Sequence, residues 1–235
     1  MSFERLVDDA ALDSAGAPVA EVLRAYRALA ACPATGRLRC PVARIGELRR
    51  HLVPEDLLDL AVVADAGTDV LPRVLDGVRG EPRVRPASVH VALPPGADQA
   101  RAAAVAIARL PRDAPVFVGV RYRAGRRAAL DRVAAARARG APLGAEFRAE
   151  DASEFVPACL ERGLPFTCTA ERSSPGLLLR VLRLAAGRAA GGRGEPAAVR
   201  RALVGFAVPD VAALLRDLDD RGPVRTRGNG EHLSP

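Results

Sequence analysis

Lysine is absent. All 35 basic residues of this 235-residue chain are arginine, so there is no side-chain amine for a Schiff base and no P-loop lysine to grip a phosphate. Tryptophan is absent too, aromatics are 3% of the residues and methionine occurs once. The core must then be built from Ala, Val and Leu, and stacking platforms for bases are scarce. The three histidines, His51, His90 and His232, show no HxxxH spacing, and the four cysteines, Cys32, Cys40, Cys159 and Cys168, form no CxxC. No zinc knuckle is therefore signalled. No GxGxxG follows an apolar run, and no apolar run approaches the length of a membrane span. The opening stretch, MSFERLVDDAAL, carries charge where a secretory leader is apolar. The expectation is a soluble, cytoplasmic protein with reduced thiols and no membrane partner.

Hydrophobic residues make up 49% of the chain, enough for a sizeable core. The excess of Arg, Ala, Gly and Pro fits a GC-rich genome. The net charge of +7 attracts anions, but the arginines are scattered among 28 acids. A small anionic molecule is the expected partner; nucleic-acid binding is the weakest reading and predicts a steep salt dependence. No cofactor and no oligomeric state is specified.

Short apolar runs alternate with longer Ala/Leu/Arg stretches. The runs at 4–8, 37–40, 57–65, 86–94, 115–123, 142–149, 164–170 and 202–208 read as strands. Amphipathic helices follow each; the first places Val19, Val22, Leu23, Tyr26 and Leu29 on one stripe. Thr68 is expected to cap a helix, Gly140 and Gly163 to end two others, and Pro157 to kink or shorten one. Eight strand–helix units predict a closed parallel (β/α)₈ barrel over 1–220, with an open doubly wound sheet as the alternative. The stretch 191–196 reads as a loop, and 221–235, without apolar periodicity, as a disordered tail.

Side chains alternate across a strand, so each run has two faces. One face is apolar throughout and is expected to lie under the helices; Cys168 falls on it and reads as core. The other face turns polar toward the strand C-termini, where barrels of this kind carry their sites. The expected lining is Asp9, Arg39, Asp65, His90, Arg121, Arg123, Glu146, Arg148, Thr169 and Glu171. Two readings stand side by side: a self-neutralising ion-pair network, and a polar site for a small anionic or zwitterionic ligand held by Arg forks. Asp9, Asp65 and Glu146 are the candidate catalytic carboxylates, Asp65 and Glu146 as an acid–base pair; the three together could hold Mg²⁺, which the neighbouring arginines oppose. His90 reads as a hydrogen-bonded core residue before it reads as a base. Arg172, Ser173 and Ser174 follow the seventh strand, where phosphate is often bound, although a Ser-Ser-Pro helix start needs only ordinary capping.

The segments LVDDAAL (6–12), CPVARIGEL (40–48), VVADAG (62–67), ERGLPFTCTA (161–170) and LLLRVLRLAA (177–186) resemble an uncharacterised family of bacterial (β/α)-barrel-like proteins. The resemblance spans most of the chain and implies the barrel fold; it brings no established activity. Where that family carries a Lys before the Arg and then Thr-Gly-Gly, this chain has Glu146-Phe147-Arg148 followed by Ala149-Glu150. Where its seventh strand reads Phe-Lys-x-Thr-Ala-Gly-Leu-His-His, Thr167 replaces the Lys, Glu171-Arg172 the Gly-Leu and Ser173-Ser174 the His pair. VGFAVPD (204–210) stands in place of a Gly-Ser-Cys-Ser-type eighth strand. The resemblance thus implies a diverged member that retains Asp9, Arg148 and Thr169, with altered chemistry or none. A catalytically silent barrel acting through a protein partner is the alternative function.

Overall fold

The structure, a computed structural model, describes residues 4–65, 67–188 and 196–220; the expected C-terminal tail lies outside these, as does the loop expected at 191–196 except for residue 196. Eight strands, β1 (Val7–Asp9), β2 (Thr35–Pro41), β3 (Leu58–Val63), β4 (Val84–Ala92), β5 (Val116–Gly119), β6 (Leu143–Arg148), β7 (Phe166–Thr169) and β8 (Leu203–Val208), pair in chain order. Every neighbouring pair is parallel, and β8 returns to β1, closing the barrel. The (β/α)₈-type closed barrel expected from the alternation is the architecture found, and the open sheet is not.

Helices α1 (Val19–Ala28), α2 (Ile45–Arg50), α3 (Leu71–Arg79), α4 (Gln99–Ile107), α5 (Arg126–Ala138), α6 (Ala152–Glu161) and α7 (Pro175–Arg188) follow the first seven strands. Helix α8 (Pro196–Ala202) precedes β8, and α9 (Val211–Asp220) follows it. The α8 helix was not anticipated, because its seven residues are too few to show a helical period.

The apolar stripe of α1 is buried as its spacing dictates. The Tyr26 hydroxyl at its end donates to the Gly36 carbonyl at 2.7 Å, fixing α1 to β2. Gly140 and Gly163 adopt positive φ just past α5 and α6, the left-handed turn that stops a helix. Pro157 lies inside α6, which continues to Glu161. Thr68 does not cap α3: the helix starts at Leu71 without a side-chain cap, with Pro72 in its first turn.

The strands' outer faces (Leu38, Leu60, Val62, Val89, Val116, Val118, Phe166, Phe206) are buried beneath the helices. The interior is filled in an unusual way. Phe117 stacks on His90, with ring centroids 5.3 Å apart, and the Arg37 guanidinium lies 5.9 Å from the same ring. Two glycines make room for these large side chains. A Cβ on Gly144 would stand 2.7 Å from the Phe117 ring, and one on Gly205 would collide with the Arg37 guanidinium and the Asp8 carboxylate. Large residues on some strands thus face bare backbone on others, as interior layers of a barrel require.

Candidate functional site

The strand register decides which polar residues share the interior. Phe117 pairs with Gly144 and with His90, and Gly119 with Glu146, so β4, β5 and β6 point these side chains inward together. Arg39 pairs with Ala61, and Thr167 with Glu146 and Gly205, bringing β2, β7 and β8 to the same space.

A buried hydrogen-bond chain results. Asp8 accepts from Arg37 through both oxygens, at 3.1 Å from Nε and 2.6 Å from Nη2. Arg37 Nη1 donates to Ser88 Oγ at 3.1 Å. The Ser88 hydroxyl lies 2.9 Å from His90 Nε2. The Glu146 carboxylate fixes the imidazole tautomer, because it can only accept: Nδ1–H donates to Glu146 Oε2, and Nε2 of a neutral ring accepts from Ser88. Arg39 Nη1 donates to the same oxygen at 2.8 Å, and the Thr167 hydroxyl approaches it at 3.3 Å. Arg39 Nε donates to Asp13 Oδ2 at 2.9 Å.

The protonation states follow from burial and charge. Burial pushes the His90 imidazole below its ordinary value, and the Arg39 charge beside it acts in the same direction, against Glu146. The His90–Glu146 contact is therefore a hydrogen bond from a neutral ring. Burial would raise Glu146, but Arg39 and His90 outweigh it and hold the carboxyl well below the usual carboxylate range. Glu146 is a fixed anion at neutral pH.

Above this floor lies a cavity of about 280 Å³, lined among others by Asp13, Arg39, Asp65, His90, Arg121, Glu146 and Thr169. A second hollow of about 370 Å³ shares Asp13, Arg121 and Thr169 with it and adds Arg148 and Glu171. The groups differ in how far they are already committed. Arg39 is engaged at both ends. Arg148 is paired with Glu171 at 2.5 Å. Asp65 accepts a 3.3 Å bond from the Ala43 amide and no other among the described residues. Gln99 holds the Arg121 backbone amide at 3.0 Å, while the Arg121 guanidinium has no partner among the described residues. Glu146 Oε1 has no hydrogen-bond partner among the described residues, and it is not among their buried unsatisfied atoms, so it is read as opening on the cavity that Glu146 lines.

Of the residues expected at the mouth, Arg39, Asp65, His90, Arg121, Glu146 and Thr169 converge on the first cavity, and Arg148 and Glu171 on its neighbour. Asp9 does not join them. It pairs with Leu38 on the outer face of β1, and its Oδ1 accepts from the Ala11 amide at 2.9 Å. Burial there, with Asp210, Asp13 and Asp8 nearby, raises its pKa from 3.8 to about 6. Asp9, Asp65 and Glu146 thus share no metal-binding point; among the described residues no group of three or more His, Cys, Asp or Glu is placed to hold a metal ion. Arg123 lies past the end of β5 and lines neither cavity, and the same holds for Arg172 and Ser173. The Ser173 hydroxyl instead accepts from the Asp210 amide at 2.9 Å, tying the loop after β7 to the start of α9. Cys168 is buried on the outer face, and its thiol pKa is pushed up by that burial.

Four participants were not foreseen. Arg37 shares a face with Arg39 by strand period alone, and Ser88 shares one with His90, so both could have been found in the alternation. Asp8 could not, since Val7-Asp8-Asp9 does not reveal its phase. Asp13 enters from the short 3₁₀ turn Ala11–Asp13, which no strand pattern predicts. Comparisons with protein families, with curated proteins and with solved structures return no match for this chain. Among the described residues no helix is long and apolar enough to cross a membrane.

Proposed function

We propose that the C-terminal mouth of this barrel binds a small anionic molecule, with Arg121 as the anchoring cation. The observation that carries this reading is Arg121, which lines both cavities and whose guanidinium has no carboxylate partner among the described residues, whereas Arg39 and Arg148 are already paired. A guanidinium in that state offers a planar fork for a carboxylate or phosphate. Glu146, held ionised, serves as an acceptor on the cavity floor, and Asp65 lines the same cavity as Arg121. The reading is tested by calorimetric titration with a panel of small carboxylates and phosphates at low ionic strength. Arg121→Gln is expected to weaken the ligands found by about tenfold, the value of roughly one charge-assisted hydrogen bond. Equal binding by the variant, or no anion bound at all, overturns the proposal.

A second reading, a diverged member of the barrel family that is catalytically silent and works through a protein partner, is favoured by the pairing of the deeper charges. Asp8 with Arg37, and Arg39 with Asp13 and Glu146, neutralise one another. It predicts partner binding that survives Arg121→Gln.

A further inference from the structure

The cavity that would hold an anion is itself not positive. Its lining has three carboxylates, Asp13, Asp65 and Glu146, against two guanidiniums, Arg39 and Arg121, with His90 neutral. One formal negative charge is left over. Arg39 is shared between Asp13 and Glu146, so among the described residues the uncommitted groups are one cation, Arg121, and acceptor oxygens on Glu146, Asp13 and Asp65. An anion alone would satisfy Arg121 and leave those oxygens facing it, like charge against like charge in a part-buried space. A cation alone would leave Arg121 unused.

Resting on the anion-binding reading above, we infer that the ligand is a zwitterion: its carboxylate lies on Arg121 and its ammonium on Glu146 Oε1 and Asp65. The geometry limits its length. Arg121 is two residues past Gly119, the register partner of Glu146, so its Cα is no more than about 7 Å further along the strand direction. An amino carboxylate with a short methylene spacer fits between groups so placed. The ammonium sits deep, because Glu146 is buried at 9% exposure, and the carboxylate sits at the rim, because Arg121 is exposed. The Glu146 carboxylate is prearranged for this. Its Oε2 is fixed by His90 and Arg39, which aims Oε1 at the cavity without further ordering on binding.

The test is a calorimetric comparison of three matched series: ω-amino carboxylates from glycine to 5-aminopentanoate, the n-alkyl carboxylates of equal length, and the n-alkylamines of equal length. One amino carboxylate is expected to bind at least about tenfold tighter than both its length-matched carboxylate and its length-matched amine. In Arg121→Gln that advantage over the amine disappears; in Asp65→Asn, an exposed position, and in Glu146→Gln, which turns a donor toward the cavity, the advantage over the carboxylate shrinks. If the carboxylates bind as tightly as the best amino carboxylate, the zwitterion inference fails and the anion site stands. If the amines bind as tightly as the best amino carboxylate, or if no member of any series binds, the anion reading fails with it. The wild-type series decides the matter even where Glu146→Gln does not fold.

Discussion

Two ionic clusters lie close together inside this barrel and differ in what they leave over. In the deeper one, Asp8 uses both oxygens on Arg37, and Arg37 spends its remaining reach on Ser88. In the upper one, Arg39 and His90 occupy Oε2 of Glu146, while among the described residues Oε1 has no partner and Arg121, on the same cavity, has no ion pair. Both contain a buried carboxylate against a buried arginine, so pairing alone does not separate scaffold from site. What separates them is the uncommitted atom. A cluster whose donors and acceptors are all used has only a structural role, and one with an ionised oxygen and a guanidinium left over has recognition capacity.

The largest expected effect breaks the closed cluster. Asp8→Asn leaves the Arg37 guanidinium in the barrel interior without a counter-charge, which costs about 3–5 kcal/mol for a buried pair. Guanidinium chloride denaturation is the measurement. A loss below about 1 kcal/mol would mean that water reaches Arg37, and the contrast between a sealed layer and an open one would go.

Acid separates the interior from the strand's outer face by sign. His90, depressed below 6.5 by burial, stays neutral in the folded state while the unfolded chain takes up a proton. Its contribution is therefore lost as pH falls from about 6.5, and that of Glu146 as pH falls below 4.5 toward its depressed folded value. Asp9 runs the other way. Its carboxyl is raised from 3.8 to about 6, so the folded state holds the proton more tightly and stability falls as pH rises through that window. Asp9→Asn keeps the oxygen that accepts from Ala11 and removes the charge. It is expected to stabilise the protein by about 1–2 kcal/mol at pH 8 and by nothing near pH 4. Denaturation curves at the two pH values check this; a gain that does not depend on pH would place the effect in packing and not in the buried charge.

The same residues show how far a sequence carries a reader. Alternation of strand and helix was enough for a parallel sheet covered by helices and favoured the closed barrel, but it left the open doubly wound sheet standing; the pairing of β8 with β1 decides between them. The polar ends of β4 and β6 were legible too: a period of two puts His90 and Glu146 on a face of their own. Legibility stopped where the backbone leaves the strand. Arg123 continues the alternation of Arg121 on paper, but β5 ends at Gly119 and the chain bends before Arg123. Asp9 was placed inside because a three-residue strand carries too little pattern to fix its phase, and the shift in register between β1 and β2 gives no sequence signal. Nor could the sequence distinguish a paired arginine from an unpaired one, since that depends on which carboxylate the fold brings within reach.

The smallest effect expected concerns the two arginines that the alternation treats as equals. Both are exposed, and neither guanidinium has an ion-pair partner among the described residues. Substituting either by Gln should change stability by no more than about 0.5 kcal/mol, as for surface positions without a buried role. Their effect on ligand is expected to diverge: Arg121→Gln weakens carboxylate binding and Arg123→Gln leaves it unchanged, because only Arg121 lines the cavity. Titration of the two variants side by side reads the difference. Equal losses from both would mean that the anion responds to the summed positive field of this rim and not to a directed guanidinium; that field would then weaken in parallel with rising salt.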